Sequence, residues 1–241
     1  MIKRTISTWA ALAALAYANK QENWLYRGVV RETHELIPSI GRDTARAQGR
    51  DLDYSLKQER VLLSEFQRQA RPLVPIHPQG PLEWMALGQH HGLATRLLDW
   101  TESLYVAAFF ATEKGLGREF KRKSADRTII KRVYPVIYGI RNLPVASGED
   151  DPFKFTRVMS YRPAHISPRI APQLAAFTVH PRPTNPYKDS KLVCWKLEIA
   201  GTIGIREALD AIGISRASLF PGVDGLTLSL NWKYKWDRLR R

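Results

Sequence analysis

The sequence predicts a single α+β domain, and three observations carry that prediction. Its 241 residues are 44% apolar, enough for one sizeable core. Residues 82–112 read as helix, tight corner, strand and second helix in one continuous block. Around it, strand-length apolar runs at 24–30, 132–140 and 190–199 are separated by helical patterns at 51–70, 202–212 and 225–241. The division that follows is a leading helix within 1–20, a core over 24–200 and a helical, basic end over 201–241.

Residues 1–18 mimic a secretory signal, with Lys3 and Arg4 ahead of an apolar run and Ala16-Tyr17-Ala18 shaped like a cleavage site. Helical spacing argues otherwise. Trp9, Leu12, Ala13, Ala16 and Tyr17 fall on one face behind a Ser7 or Thr8 cap, which suits a packed leading helix. No run approaches the roughly 18–20 apolar residues that span a bilayer, so no membrane partner is expected.

Residues 24–30 read as a strand. With alternate residues buried, Arg27 projects beside Leu25 and Val29, a costly place for a cation unless an anion faces it. Two partners suit it: a ligand phosphate or carboxylate, onto which a guanidinium forks, or a buried acid such as Asp99. Gly28, next in line, removes a side chain that would block a close ligand. Over 51–70 a helix is predicted, with Leu52, Leu56, Leu63 and Phe66 as its inner seam, Glu59 and Glu65 on a solvated face, and Pro72 as its stop. A Pro-rich loop, 71–81, then leads into the central block.

In that block Pro81 takes a first helical position and Gly92 the left-handed cap that ends the helix. Residues 95–100 form a short buried strand. Ser103 caps a second helix whose Leu104, Val106, Ala107, Ala108, Phe109 and Phe110 are apolar on nearly every side, so it is buried. Gln89, His90, His91, Thr95, Arg96, Asp99, Thr101 and Ser103 crowd the corner between the two helices. Once buried, Arg96 and Asp99 need partners: each other, backbone or a ligand.

Residues 114–132 hold eight Lys/Arg and two acids, with Gly115 and Gly117 near the start, and read as a flexible basic loop. Lys121, Arg122 and Lys123 are its candidates for holding a phosphate backbone. A strand over 132–140 follows, with Val133, Val136, Ile137 and Ile140 apolar, then a polar loop, 141–151. Residues 190–199 form another strand, and Thr202 caps a helix that ends before Gly213. The final helix, 225–241, interleaves Lys233, Lys235, Arg238, Arg240 and Arg241 with Trp232, Tyr234 and Trp236. That composition suits stacking on unpaired bases and suits a packed terminal helix equally.

The net charge is +14, and it is uneven: residues 1–120 carry 15 Lys/Arg against 13 Asp/Glu, and residues 121–241 carry 22 against 10. A field of that sign gathers polyanions, so nucleic acid leads the candidate partners. The single Cys, Cys194, excludes an intramolecular disulfide, fits a reducing compartment and reads as a small buried hydrophobe. No Gly-x-x-x-x-Gly-Lys, Gly-x-Gly-x-x-Gly or Gly-x-Ser-x-Gly pattern occurs, which removes P-loop, Rossmann and serine-hydrolase chemistry. No metal is expected: there is one Cys, no His pair at i, i+4, and only Glu102 close to Asp99 in sequence.

The run from Gln89 through His90, His91, Gly92, Thr95, Arg96, Asp99 and Thr101 to Thr112 resembles the central motif of the FRG-domain family, named for a Phe-Arg-Gly tripeptide. Tyr26-Arg27-Gly28 stands where that tripeptide belongs, with Tyr26 for Phe. A weaker likeness covers Leu36-Ile37-Pro38-Ser39, the Phe66 helix, and Pro168-Arg169-Ile170 followed by Gln173 and Phe177, where Ala175 replaces the family's Gly. The family is grouped by similarity with the ADP-ribosyltransferase fold, and some of its members look like toxins of phage-defence systems. The resemblance therefore implies a mixed sheet core flanked by helices and NAD as co-substrate. It places Arg27, Gly28, His90, His91, Thr95 and Arg96 around that cofactor, and Thr101 in a hydroxyl-rich second motif. Gln173 falls where many such transferases keep a catalytic Glu. A Gln orients a partner but carries no charge, so Asp99 becomes the candidate carboxylate, with Thr101 and Gln173 beside it as catalytic candidates.

Joined to the charge, this gives the expected activity: NAD-dependent ADP-ribosyl transfer to nucleic acid, foremost RNA such as mRNA. The expected setting is a cytoplasmic toxin of a toxin–antitoxin or phage-defence system, restrained by an inhibitory antitoxin protein. The alternatives are transfer to protein and a catalytically inert basic module that binds RNA.

Overall fold

Strands and helices follow one another along the chain as β1 (Ile2–Ile6), α1 (Trp9–Ala18), β2 (Trp24–Val29), α2 (Leu56–Ala70), α3 (Pro81–His90), β3 (Leu97–Thr101) and α4 (Leu104–Thr112). They continue with β4 (Glu119–Ser124), β5 (Arg127–Arg132), β6 (Val136–Arg141), β7 (Met159–Tyr161), α5 (Ile170–Gln173) and β8 (Ala175–Val179). The chain closes with β9 (Val193–Leu197), α6 (Ile199–Ala211), α7 (Arg216–Leu219) and α8 (Val223–Leu239). The computed structural model describes residues 2–42, 54–113, 119–124, 127–164 and 170–239.

Local chemistry explains the boundaries. The Thr8 hydroxyl accepts from the Ala11 N–H at 3.2 Å to start α1, and the Ser103 hydroxyl accepts from Val106 to start α4. Pro81 opens α3, where its missing N–H is no loss. Gly92, at φ +92°, closes it, and the Leu93 N–H turns back to the Gly88 carbonyl at 2.8 Å.

Seven strands form one mixed sheet in the order β1-β9-β6-β2-β3-β8-β7, with β1 parallel to β9 and the remaining neighbours antiparallel. β2 pairs with β6 from Trp24↔Arg141 to Val29↔Val136, and β3 with β8 from Leu97↔Val179 to Thr101↔Ala175. Between β2 and β3 the ladder shrinks to one pair, Tyr26↔Thr101. The sheet is thus two half-sheets joined at one rung.

On one face Tyr26, Ile137, Trp195 and Leu197 pack against α1, α4 and α6. α4 is the centrepiece: Ala107, Ala108, Phe109 and Ala111 are fully buried. Leu25, Val29, Tyr138, Ile140 and Trp100 share a second core with Leu36 and Leu192 from loops, and Leu97, Phe177 and Val179 share a third with α2 and α3.

Several expectations are corrected. The leading helix is preceded by β1, whose Lys3, Arg4 and Thr5 hide a strand that pairs far away with β9. The strand expected over 132–140 is broken at Pro135, which cannot donate to a ladder, into β5 and β6. The basic loop expected over 114–132 is a hairpin of β4 and β5, because the β-branched run Thr128-Ile129-Ile130 gives it strand character; residues 114–118 and 125–126 lie outside the described ones. Thr202 does not cap α6. It sits inside the helix with its hydroxyl donating to the Ile199 carbonyl at 2.7 Å, and Glu198 holds the cap position. Of the helix expected over 51–70, residues 51–53 lie outside the description and α2 begins after Ser55.

Glu59 is not on a solvated face. It is 3% exposed and meets Arg96, itself 1% exposed, through Arg96 Nε–Oε1 at 2.9 Å and Nη2–Oε2 at 2.6 Å. The Tyr54 hydroxyl donates to Glu59 at 2.7 Å, and Arg96 also donates to the Pro152 carbonyl at 3.3 Å. Arg96 therefore has its partners inside the core, tying α2 to the start of β3.

Candidate functional site

Where β2 and β3 part company, a cleft of about 400 Å³ opens between them. Arg27 stands at its head. The guanidinium donates from Nη1 to the Asp99 backbone carbonyl at 2.5 Å and reaches the Asp99 carboxylate at 3.4 Å. The Arg27 side chain is 16% exposed and that of Asp99 55%, so the cation is enclosed and the carboxylate faces the opening. Arg27 Nε is buried with no hydrogen-bond partner among the described residues. Burial pulls the Arg27 pKa below its ordinary value, and Asp99 opposes that shift.

Asp99 is held from behind. Gln89 donates from Nε2 to Asp99 Oδ1 at 3.1 Å, and Gln89 Oε1 accepts from the Thr95 hydroxyl at 2.7 Å. Thr95 in turn accepts from the Leu97 N–H at 3.0 Å and donates its own N–H to the Ser39 hydroxyl at 3.0 Å. This chain fixes which amide atom of Gln89 faces the carboxylate.

On the far wall Gln173 ends α5 and lines the cleft, its Nε2 donating to the Leu219 carbonyl at 2.8 Å. Thr101 donates its hydroxyl to the Gln173 backbone carbonyl at 2.6 Å and accepts from the Ser103 N–H at 3.1 Å. Between Gln173 and β8, Leu174 holds φ +44°, a left-handed conformation that a branched residue adopts only under constraint. Phe110, Phe177 and Phe220 make the apolar wall, and the His90 ring meets Phe177 edge-on at 5.6 Å.

The structure thus brings Arg27, Asp99, Thr101, Gln173 and His90 to one cleft from four separate stretches of chain. Others fall elsewhere. Thr95 lies one layer back, orienting Gln89. His91 caps α3 and is exposed, away from the cleft lining. Arg96, expected at the cofactor, is consumed by Glu59. Gly28 touches the cleft, but a Cβ there would lie 1.8 Å from the Ala107 carbonyl oxygen and 2.7 Å from the Ala111 nitrogen. The helix, not a ligand, is what demands glycine. Lys121, Arg122 and Lys123 lie on β4. Sequence reasoning missed Glu113 and Phe220, which line the cleft from the ends of α4 and α7; Glu113 forms an ion pair with Arg216, a partner 103 residues away that no local pattern reveals.

Behind the cleft the Trp100 indole donates to the Thr178 hydroxyl at 2.8 Å, and that hydroxyl lies 2.8 Å from His180 Nε2. Burial lowers the His180 pKa to about 4, with the Arg27 and Arg96 charges adding to it, so the ring is neutral at pH 7. Among the described residues no group of three His, Cys, Asp or Glu side chains is placed to hold a metal ion, and no helix is long and apolar enough to cross a membrane.

Residues 22–119 match the FRG domain family, a span from the approach to β2 through α4 that includes Arg27, Gly28, His90, Asp99 and Thr101 and leaves Gln173 outside. No curated protein and no solved structure matches the chain.

Proposed function

From a segment that matches the FRG domain, whose Tyr26-Arg27-Gly28 tripeptide and central motif meet at one cleft, we propose an NAD-dependent ADP-ribosyltransferase that modifies nucleic acid, foremost RNA, and acts as a toxin held in check by an antitoxin protein. The observation that carries the reading is Arg27: an enclosed guanidinium that contacts Asp99, lines an open cleft with Gln173, and has a buried Nε with no partner among the described residues. The Arg27 guanidinium fits a dinucleotide's phosphates, and the Phe110, Phe177 and Phe220 wall fits its flat nicotinamide ring.

NAD supplies an ADP-ribosyl group: its C1′–N bond breaks with both electrons going to nicotinamide, an acceptor lone pair closes the new bond at C1′, and the acceptor proton is released. Arg27 binds and orients the anionic end through its remaining donors. Asp99, exposed and clamped by Gln89, supplies the negative charge that balances positive charge developing at the sugar and accepts the acceptor's proton. Gln173, anchored to Leu219 through its NH₂ group, turns its carbonyl oxygen to align the acceptor. The charge of +14, most of it after residue 120, draws in the polyanion.

Incubation with labelled NAD and total cell extract, followed by separation of RNA, DNA and protein, tests this. Label enters RNA and does so poorly with Asp99→Asn. Replacing Lys121, Arg122 and Lys123 together by Gln flattens the salt dependence of RNA binding by roughly 2 in log–log slope. Label in protein alone overturns the nucleic-acid reading, and no label together with no NAD-dependent thermal stabilisation overturns the transferase reading.

A further inference from the structure

A second cavity, of about 520 Å³, adjoins the cleft, and His34 lines both. Its inner wall is Tyr138 on β6, the residue that pairs in register with Arg27 on β2. Tyr138 is 7% exposed, and among the described residues its hydroxyl has no hydrogen-bond partner. A hydroxyl on a buried ring, open toward a cavity, is a donor and acceptor available to a ligand.

The other wall is built in advance. Tyr187 donates its hydroxyl to Asp189 Oδ2 at 3.2 Å, its ring meets His180 edge-on at 5.1 Å, and its N–H donates to the Leu36 carbonyl at 2.9 Å. Asp189 Oδ1 is itself fixed by the Lys191 N–H at 2.8 Å. Glu32 and Glu35 stand at the rim, exposed. In a chain of net charge +14, three carboxylates about one cavity, with Lys188 the only Lys or Arg among the described residues of its lining, mark a local reversal of sign.

Ionised carboxylates only accept hydrogen bonds, so the occupant's edge that meets Glu32 and Glu35 must donate. Aromatic walls ask for a flat group. Among the bases, guanine alone presents two adjacent N–H donors, the ring N1–H and the exocyclic amine, to a single carboxylate. Adenine and cytosine place a ring acceptor beside their amine, and the uracil N–H is flanked by two carbonyls. We propose that this cavity is the acceptor subsite of the transferase and takes an unpaired guanine base, its phosphates remaining outside the acidic rim. The proposal rests on the transferase reading above and names the base that the reaction addresses.

Equilibrium binding of guanosine, adenosine, cytidine and uridine 5′-monophosphates to the full chain, with NAD-dependent thermal stabilisation measured alongside, tests it. The guanosine nucleotide binds about tenfold tighter than the other three, and Glu32→Gln with Glu35→Gln, or Tyr138→Phe, weakens it about tenfold while the NAD response stays unchanged. Circular dichroism of the variants confirms that they are folded. Equal or absent binding of all four nucleotides, with NAD still stabilising, overturns the guanine subsite and leaves the transferase reading standing. Binding of an arginine amide in preference to the guanosine nucleotide also overturns it, since a guanidinium presents the same paired donors and would mark a protein acceptor. Failure of NAD to stabilise overturns the transferase reading and with it the cavity's part in transfer.

Discussion

Arg27 Nη1 lies 2.5 Å from the Asp99 backbone carbonyl oxygen and 3.4 Å from its carboxylate, at the point where β2 and β3 stop pairing. One guanidinium thereby closes the gap in the sheet and faces the cleft. Both partners foreseen for it from sequence, a nearby acid and an anionic ligand, are compatible, because the contact with Asp99 occupies Nη1 and leaves Nε without a partner among the described residues. Arg27→Lys keeps the charge but loses the fork. We expect NAD affinity to fall about tenfold or more while urea unfolding shows a loss of only about 1 kcal/mol. Near-normal NAD affinity in this variant would leave Arg27 as a structural clip.

Gly28→Ala tests a different link in the same tripeptide. Its Cβ would lie 1.8 Å from the Ala107 carbonyl oxygen, a backbone atom of a fully buried helix that cannot step aside. The expected loss is about 3 kcal/mol or more, the upper end of overpacking effects. An unfolding midpoint equal to that of the parent would show that α4 does not seat on Gly28 as described.

Glu59 and Arg96 form an enclosed pair whose side chains are each 2% exposed. Removing one partner strands the other, so Glu59→Gln or Arg96→Gln is expected to cost about 3–5 kcal/mol. Arg96 does not line the cleft, so NAD binding per folded molecule is expected to persist. If Arg96→Gln abolishes NAD binding while leaving the unfolding midpoint in place, the pair has been misread.

What the sequence exposed and what it hid follow a physical line. Caps and corners are local, and Pro81, Gly92 and Ser103 each stand where their chemistry placed them. The cleft was legible through Arg27, His90, Asp99 and Thr101 because polar groups beside apolar runs need a reason to be there, and through Gln173 by family resemblance alone. Long-range pairing was not legible. The helical period put Glu59 on a polar face, and nothing local says that Arg96, 37 positions on, would cover it. β1 carries three polar residues in five, a pattern that reads as strand only when its partner β9 is known. The glycine of the tripeptide was credited to a ligand because the helix that occupies its missing side chain begins some 75 residues later.

His180 sets an acid limit on stability. The ring is 3% exposed, lies 2.8 Å from the Thr178 hydroxyl, and feels Arg27 and Arg96, so its pKa falls from 6.5 to about 4. As pH drops below about 6.5 the unfolded chain takes up a proton that the native ring refuses until about pH 4. The unfolded state then binds more protons, and stability falls across that window; above it the contribution is complete. The full loss is about 3 kcal/mol, reached near pH 4. Urea titrations at pH 7.5 and pH 4.5 measure it, and carboxylates that titrate in the same range cancel when the parent is compared with His180→Gln. The variant is expected to lose about 2–3 kcal/mol less than the parent between the two pH values. Equal losses would mean that the native ring protonates as freely as the unfolded one, and that the enclosure of His180 by Thr178, Tyr187 and the two arginines does not hold in solution.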